Sequence, residues 1–310
     1  MNNTTKAWLQ IHLCVVLWGF TAILGKLITL DALPLVLWRM SLVTIVLLLV
    51  PPVIRSLLIM PWRLIAIYAG IGVLVTLHWL TFYGAIRLSN ASVAVTCIAT
   101  VPVFLAILEP IMAGRRFQIS ELLLGLMVLP GIVLVVGGTP SNMNSGIVMG
   151  LISALFVALF AALNKRYILK ADALAITTIE MAAGAVMLLG LSLLYTLLPS
   201  LPMIAGIVEN PAQMLALPQD SDLLWLLLLA FGCTLLPFAL SLVALRQLSA
   251  YASSLAINLE PLYAIALAAV FLGEQQEVSA GFYLGAAMIM AVVLIYPWLA
   301  RRTSILARNH

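Results

Sequence analysis

Apolar residues run on for about twenty positions at a time, and polar residues are confined mostly to short gaps between the runs. A helix needs about 20 apolar residues to cross a bilayer. Ten stretches qualify, at 7–28, 34–53, 62–84, 90–113, 120–138, 146–166, 173–198, 222–246, 251–273 and 278–298. The gaps are short, such as Thr29 to Leu33 or Arg87 to Asn90, so successive helices must pack antiparallel. The exception runs from Pro199 to Ser221 and contains Pro199, Pro202, Pro211 and Pro218. It predicts an irregular surface loop.

The apolar runs at 90–113 and 251–273 each carry a proline in mid-course at matching places, Pro102 and Pro261. Proline lacks a backbone donor and clashes with the preceding turn, so both helices are expected to kink or open there. Glu260 stands directly before the second proline. A carboxylate at membrane depth is expensive to keep, which makes it the first candidate for function. The competing reading is a structural acid bonded to backbone freed by Pro261.

Composition narrows the class. The 310 residues are 64% hydrophobic and 8% charged, too little charge to cover a soluble domain of this size. Long apolar runs rather than alternating short ones exclude a transmembrane barrel. The net charge of +4 comes from basic residues set singly or in pairs, which is no nucleic-acid footprint. Cys14, Cys97 and Cys233 lie inside apolar runs and have neither disulfide nor metal spacing. The first run has no small-residue cleavage site after it and reads as a retained span. Of the 15 Lys and Arg, only Lys26 and Arg87 fall on the side away from the N-terminus, while Arg39 lies within the second run. That bias predicts cytoplasmic termini, and an outward-facing long loop carrying Glu209, Asp220 and Asp222.

The chain also repeats itself. Asp31-Ala32-Leu33 with Arg39-Met40 recurs as Asp172-Ala173-Leu174 with Glu180-Met181. Leu88-Ser89 and Gly114 recur as Leu248-Ser249 and Gly273, with a one-residue gap needed before the prolines, and Gly125 aligns with Gly285. A rival register pairing Leu108-Glu109-Pro110 with Leu259-Glu260-Pro261 loses these matches. The expected domains are therefore 1–140 and 141–310, each a five-helix repeat. Five spans is an odd number, so the copies must insert in opposite senses. Inverted repeats around a central cavity suit a secondary transporter working by alternating access. The fold class expected is all-α and polytopic.

Candidate binding groups follow from depth and type. Glu260 suits a substrate amine or a proton. Arg39 and Glu180 occupy equivalent positions with opposite charge; they either pair across the pseudo-two-fold or separately bind a carboxylate and an amine. His78 titrates near neutrality when unperturbed, but a lone histidine is also a common packing residue. Trp79, Tyr83, Trp18 and Tyr263 are either aromatic cavity walls or ordinary packing. Proton coupling through Glu260, Glu180 or His78 is a further expectation. Lys26 and Lys165, at opposite ends of their runs, are either gates that pair with acids or snorkelling side chains. Gly146 to Gly150 and Gly281 to Gly285 allow close helix approach, within the chain by preference or in a homodimer at the last run. Gly19 to Gly25-Lys26 lacks the spacing, the Ser or Thr and the strand of a phosphate loop, so no nucleotide or other cofactor is expected. An intramembrane enzyme is the rival class, but the sequence has neither HExxH nor GxSxG.

Trp18-Gly19 with Lys26, Arg39, His78-Trp79 through Tyr83, Ser89-Asn90-Ala91-Ser92 and Pro102 resemble the drug/metabolite transporter superfamily, within it the EamA-type ten-helix exporters. Asn164-Lys165, Glu180, Glu260-Pro261 and Leu272-Gly273-Glu274 continue the likeness through the second half. One departure is Arg115-Arg116, where many members carry Gly-Glu or Glu-Arg. The resemblance implies two five-helix repeats, a rocking exchange between inward- and outward-open states, and efflux of a small amphipathic metabolite such as an amino acid across the bacterial inner membrane. A metabolite exchanger or importer of the same fold is the alternative.

Overall fold

The computed structural model describes residues 2–114, 116–198, 202–210, 213–257 and 259–306. Arg115, Pro199, Pro211, Arg308 and the side chains of Asp220, Arg301 and Arg302 lie outside the described residues. Every regular element described is helical: α1 (Asn3–Gly19), α2 (Thr21–Leu27), α3 (Ala32–Leu48), α4 (Pro51–Leu58), α5 (Trp62–Leu88), α6 (Ala91–Ile98), α7 (Val101–Ala113), α8 (Ile119–Leu126), α9 (Leu129–Gly137), α10 (Asn144–Tyr167), α11 (Ala173–Leu197), α12 (Asp220–Leu227), α13 (Leu236–Leu245), α14 (Ala250–Ile257), α15 (Glu260–Phe271) and α16 (Ala280–Leu306). A π-helical stretch, Leu228–Leu235, joins α12 to α13.

Among the described residues six helices are long and apolar enough to cross a membrane, or seven if α3 and α4 form one bent span. The expected ten are not reached by that measure because several runs are broken. Pro51 and Pro52 turn α4 by 92° from α3. Pro130 opens a new helix after the break between α8 and α9. Val186 is 71% exposed and Val270 77%, so large aliphatic side chains coat the outside, as lipid contact requires.

The packing is unchanged in outline when the two halves are exchanged. α5 lies along α10 as α13 lies along α1, while α3 with α11 and α9 with α16 pair with their own counterparts. Smaller contacts repeat too. Asn90 Oδ1 accepts from Val93 N and Ser249 Oγ from Ala252 N, each capping a helix start. Arg87 donates to the Leu30 carbonyl as Arg246 donates to that of Ala171. Gly114 and Gly273 both end their helices with positive φ, 74° and 70°. The caps make Asn90 the counterpart of Ser249, as Arg87 is of Arg246, so this register reaches the prolines and Gly114 without a gap, gives up the match of Leu88-Ser89 with Leu248-Ser249, and sets Val101 opposite Glu260.

Both predicted breaks occur, and the prolines sit differently from a mid-helix kink. Pro102 and Pro261 occupy the first turn of α7 and α15, where a missing N–H costs nothing. The new helix starts, α6 and α14, are each held by an acid from the other repeat. Glu274 accepts from Ala91 N and Ser92 N at 3.0 and 2.9 Å. Glu109 accepts from Ala250 N and Tyr251 N at 2.9 and 2.8 Å. These two contacts, at opposite ends of the bundle, are equivalent, yet their acids come from non-equivalent positions.

The glycine spacings serve packing within the chain. Gly281 and Gly285 receive Gly138 and Gly131, and Gly146 and Gly150 receive Ser89 and Cys97. The last helix's glycine face is thus taken by α9 and is not offered to a second copy. The long loop is more than a surface connection. Ile207, Val208 and Met214 are buried in the main core, and Trp38 Nε1 donates to the Ala216 carbonyl at 2.7 Å. The loop packs its apolar residues against the end of the bundle opposite the N-terminus.

Glu274→Ala and Glu109→Ala each leave two buried amides unbonded. Each should cost about 1–3 kcal/mol of stability, and the losses should add because the sites are far apart. Thermal unfolding in detergent, followed by intrinsic fluorescence, measures both.

Candidate functional site

A cavity lies between the halves, walled by α1, α2, α3, α5, α6, α7, α10, α13, α14 and α15. Its apolar surface comes from Trp18, Trp79, Phe82, Phe160 and Phe238, and its polar groups are Arg39, His78, Asn164, Ser241, Ser253, Ser254, Thr21 and Glu260. No wall residue comes from the long loop. The far end is shut by Asp222, which accepts from Thr29 N and Thr29 Oγ1, and by Arg87 on the carbonyls of Ile28, Thr29 and Leu30.

Arg39 is 1% exposed and is held from several directions. Its Nε donates to Thr234 Oγ1, its Nη1 to Tyr83 Oη at 2.8 Å, and its Nη2 reaches the Cys233 carbonyl at 3.4 Å. The guanidinium carbon stands 3.8 Å from the centre of the Trp79 ring, a cation–π contact. The π-helical stretch makes this possible. Its wide turn lets Thr234 bond back to the Leu229 carbonyl, five residues earlier, and turns polar atoms inward. Gly25 is required beside it: a Cβ there would lie 2.2 Å from the Tyr83 ring.

Glu260 faces the same space without any hydrogen-bond or ion-pair partner among the described residues, so it does not bond the backbone freed by Pro261. Arg39 and Glu260 share the cavity without touching. His78 is tied to α10: Ser153 Oγ donates to the His78 carbonyl at 3.0 Å and lies 2.8 Å from Nδ1. If the Ser153 proton goes to the His78 carbonyl, Nδ1 carries its own hydrogen and the neutral ring presents Nε2 as an acceptor. Phe82 and Phe160 flank the ring.

Several expected site residues fall elsewhere. Arg39 does not pair with Glu180, although α3 packs on α11. Successive helical residues point about 100° apart, and it is Met40 that meets α11, at Gly184, while Arg39 turns to the π-helical stretch. Glu180 is fully buried behind the wall, with Asn164 Nδ2 3.5 Å from Oε2. Tyr263 is 43% exposed and lines an outer groove with Val16 and Phe20, because it lies past Pro261 on the outward side of α15. Tyr83 acts through Arg39 instead of lining the wall. Lys26 is exposed at the end of α2. Lys165 pairs with no acid; its Nζ donates to the carbonyls of Leu245 and Leu248, both at 2.7 Å, closing the C-terminus of α13.

Thr234, Cys233, Phe160, Phe238, Asn164, Ser253 and Ser254 were not foreseen as site residues. The only local signal for the first two was Pro237, which follows them. Tyr83→Phe should leave an Arg39 donor unpaired and cost about 1–3 kcal/mol. Gly25→Ala should displace the Tyr83 ring and lower the thermal midpoint at least as far, whereas Tyr263→Phe should leave it unchanged.

No curated protein matches the chain. One solved crystal structure, described only as that of a protein, superposes with TM-score 0.68 at 16% identity, covering 96% of this chain and 99% of that one. This likeness speaks for the fold. The model of the EamA-like transporter family matches residues 5–137 and again 144–296. Two matches, one per half, agree with the exchange symmetry of the packing, and the chain belongs to the EamA-like transporter family, a group of multi-pass membrane transporters.

Proposed function

We propose that the protein is a secondary active transporter that exports a small amphipathic metabolite, an amino acid or a related compound, from the cytoplasm across the cell membrane of a bacterium. The observation that carries this reading is the pair of separated charges in one aromatic cavity. Among the described residues Glu260 has no partner, and Arg39 is oriented but not neutralised by an acid. A buried carboxylate left so is costly, and an incoming ammonium group relieves that cost. The carboxylate of the same solute would meet the donors that Arg39 has left over. Trp18, Trp79, Phe160 and Phe238 would cover its apolar part.

Alternating access is supported by the equivalence of the halves. The cavity lining runs from Thr21 and Arg39 toward Ile11, Leu245 and Ala250, on the side of the N-terminus, while the opposite end is shut. With both termini in the cytoplasm, this conformation would load substrate from within. Glu260 is also the acid in the cavity that can exchange a proton for an ammonium group, which would couple export to the proton gradient; His78 Nε2 is a second acceptor there.

Proteoliposomes loaded with radiolabelled neutral amino acids test the reading. Efflux should rise with an imposed pH gradient, and flux indifferent to that gradient removes proton coupling. Losing a charge-assisted hydrogen bond worth about 1.5–3 kcal/mol should weaken substrate binding about 10- to 100-fold in Glu260→Gln. Ligand-dependent thermal stabilisation measures this in purified protein. Equal stabilisation of wild type and variant by every solute tried would remove Glu260 from the site.

A further inference from the structure

Behind the cavity wall, between α10, α11 and α5, lies a second polar spot. Glu180 is 0% exposed and Asn164 is 1% exposed. Glu180 Oε1 and Asn164 Oδ1 are both buried acceptors without a hydrogen-bond partner, and the contact between the two side chains is a single long one, 3.5 Å from Nδ2 to Oε2. The Glu180 backbone is seated where α5 has only Gly72; a Cβ there would come within 2.3 Å of the Glu180 carbonyl, so the acid cannot withdraw along its helix.

No cation compensates Glu180. The charged and titratable groups on the elements packed against α11 are Arg39 on α3, Arg55 on α4, Arg63, Tyr68, His78, Tyr83 and Arg87 on α5, and Arg246 after α13. On α5, His78 lies against Ser153, Tyr83 accepts from Arg39, Arg63 stands over the Trp62 ring and Arg87 donates to the carbonyls of Ile28, Thr29 and Leu30. Arg39 is directed to Tyr83 and Thr234, and Arg246 donates to the Ala171 carbonyl. Tyr68 Oη donates to the Tyr167 carbonyl at 3.0 Å. Arg55 is in no ion pair with Glu180. An ionised carboxylate so placed would forfeit its hydration and gain almost nothing in exchange. Oxygen-bound metal ions take about six ligands or more. Only two acceptor oxygens are without partners here, and the described residues contain no metal-binding cluster.

We propose that Glu180 and Asn164 form a buried site, separate from the substrate groups, whose ligand is a single proton. Binding forms one O–H bond on the Glu180 carboxyl and breaks one O–H bond of the hydronium ion that delivers the proton, leaving a water molecule. The neutral acid then has a donor, and the Asn164 carbonyl oxygen is the acceptor beside it. Asn164 also belongs to the cavity wall. Release of the proton turns the preferred amide contact over, because a carboxylate calls for Nδ2 and a carboxylic acid for Oδ1. Asn164 thus exchanges donor for acceptor at the wall according to the charge behind it. The site stands whether or not the protein exports amino acids; only the consequence for the solute rests on the transport reading.

Infrared difference spectroscopy of the purified protein at neutral pH, with the proton itself as the probe, tests it without any substrate. The wild type should show a carboxylic-acid carbonyl band that disappears in Glu180→Gln and persists in Glu260→Gln. In Asn164→Leu that band should move to higher frequency, having lost its hydrogen bond. A Glu180→Gln spectrum with every acid band intact would mean that Glu180 is ionised, or solvated by water, and would overturn the proposal. Should Glu180→Gln fail to fold, Asn164→Leu decides alone: an acid band that does not move overturns it.

Discussion

A bundle immersed in lipid has nowhere to send an unpaired backbone group. This chain interrupts its helices repeatedly, at the starts of α4, α7, α9 and α15 and along the π-helical stretch before α13, so the fold depends on satisfying those interruptions from within. At the breaks proline removes the need at the first turn, and at the ends of the spans charged side chains supply the partners. Glu109 and Glu274 take the amides at the starts of α14 and α6, Arg87 and Arg246 take carbonyls in the matching turns, and Lys165 takes the end of α13. Among these, Lys165 was the one residue expected as a gate, and its ammonium group is spent on backbone carbonyls. Arg39 stands between scaffold and site. It satisfies the wide turn of its neighbour and still faces the cavity.

The architecture was legible because symmetry and hydrophobicity act over long stretches. Apolar length gave the helices, and matched Asp, Met and Gly positions gave the two halves that the family match and the packing both show. Glu260 was legible as a candidate from its place before a proline in an apolar run, but that pattern does not separate it from Glu109-Pro110, whose acid is spent on the amides that start α14. Side-chain direction was not legible. Arg39 and Glu180 are equivalent in sequence and their helices touch, yet one faces the cavity and the other is sealed behind it. The π-helical stretch was invisible as well, since it depends on a side-chain hydroxyl and a proline cooperating across a turn. The departure at Arg115-Arg116 hid a substitution of place: the work of Glu274 in one half is done by Glu109 in the other, one to two turns away in the aligned register.

The halves are alike in frame and unlike in content. Val101 stands where Glu260 does, and Arg39 where Glu180 does. A symmetric frame suits a motion that exchanges two ends, and an asymmetric lining suits a solute that is itself polar at one end and apolar at the other.

The two acid contacts also bear on which parts can move. Glu274 ties the end of α15 to the start of α6, and Glu109 ties α7 to the start of α14, so the two broken spans are fastened to each other at top and bottom. A body pinned at both ends turns as one piece. In the alternating-access reading proposed above, such a pair is the axle, and the displacement that would open either end of the cavity falls to the helices arranged around it.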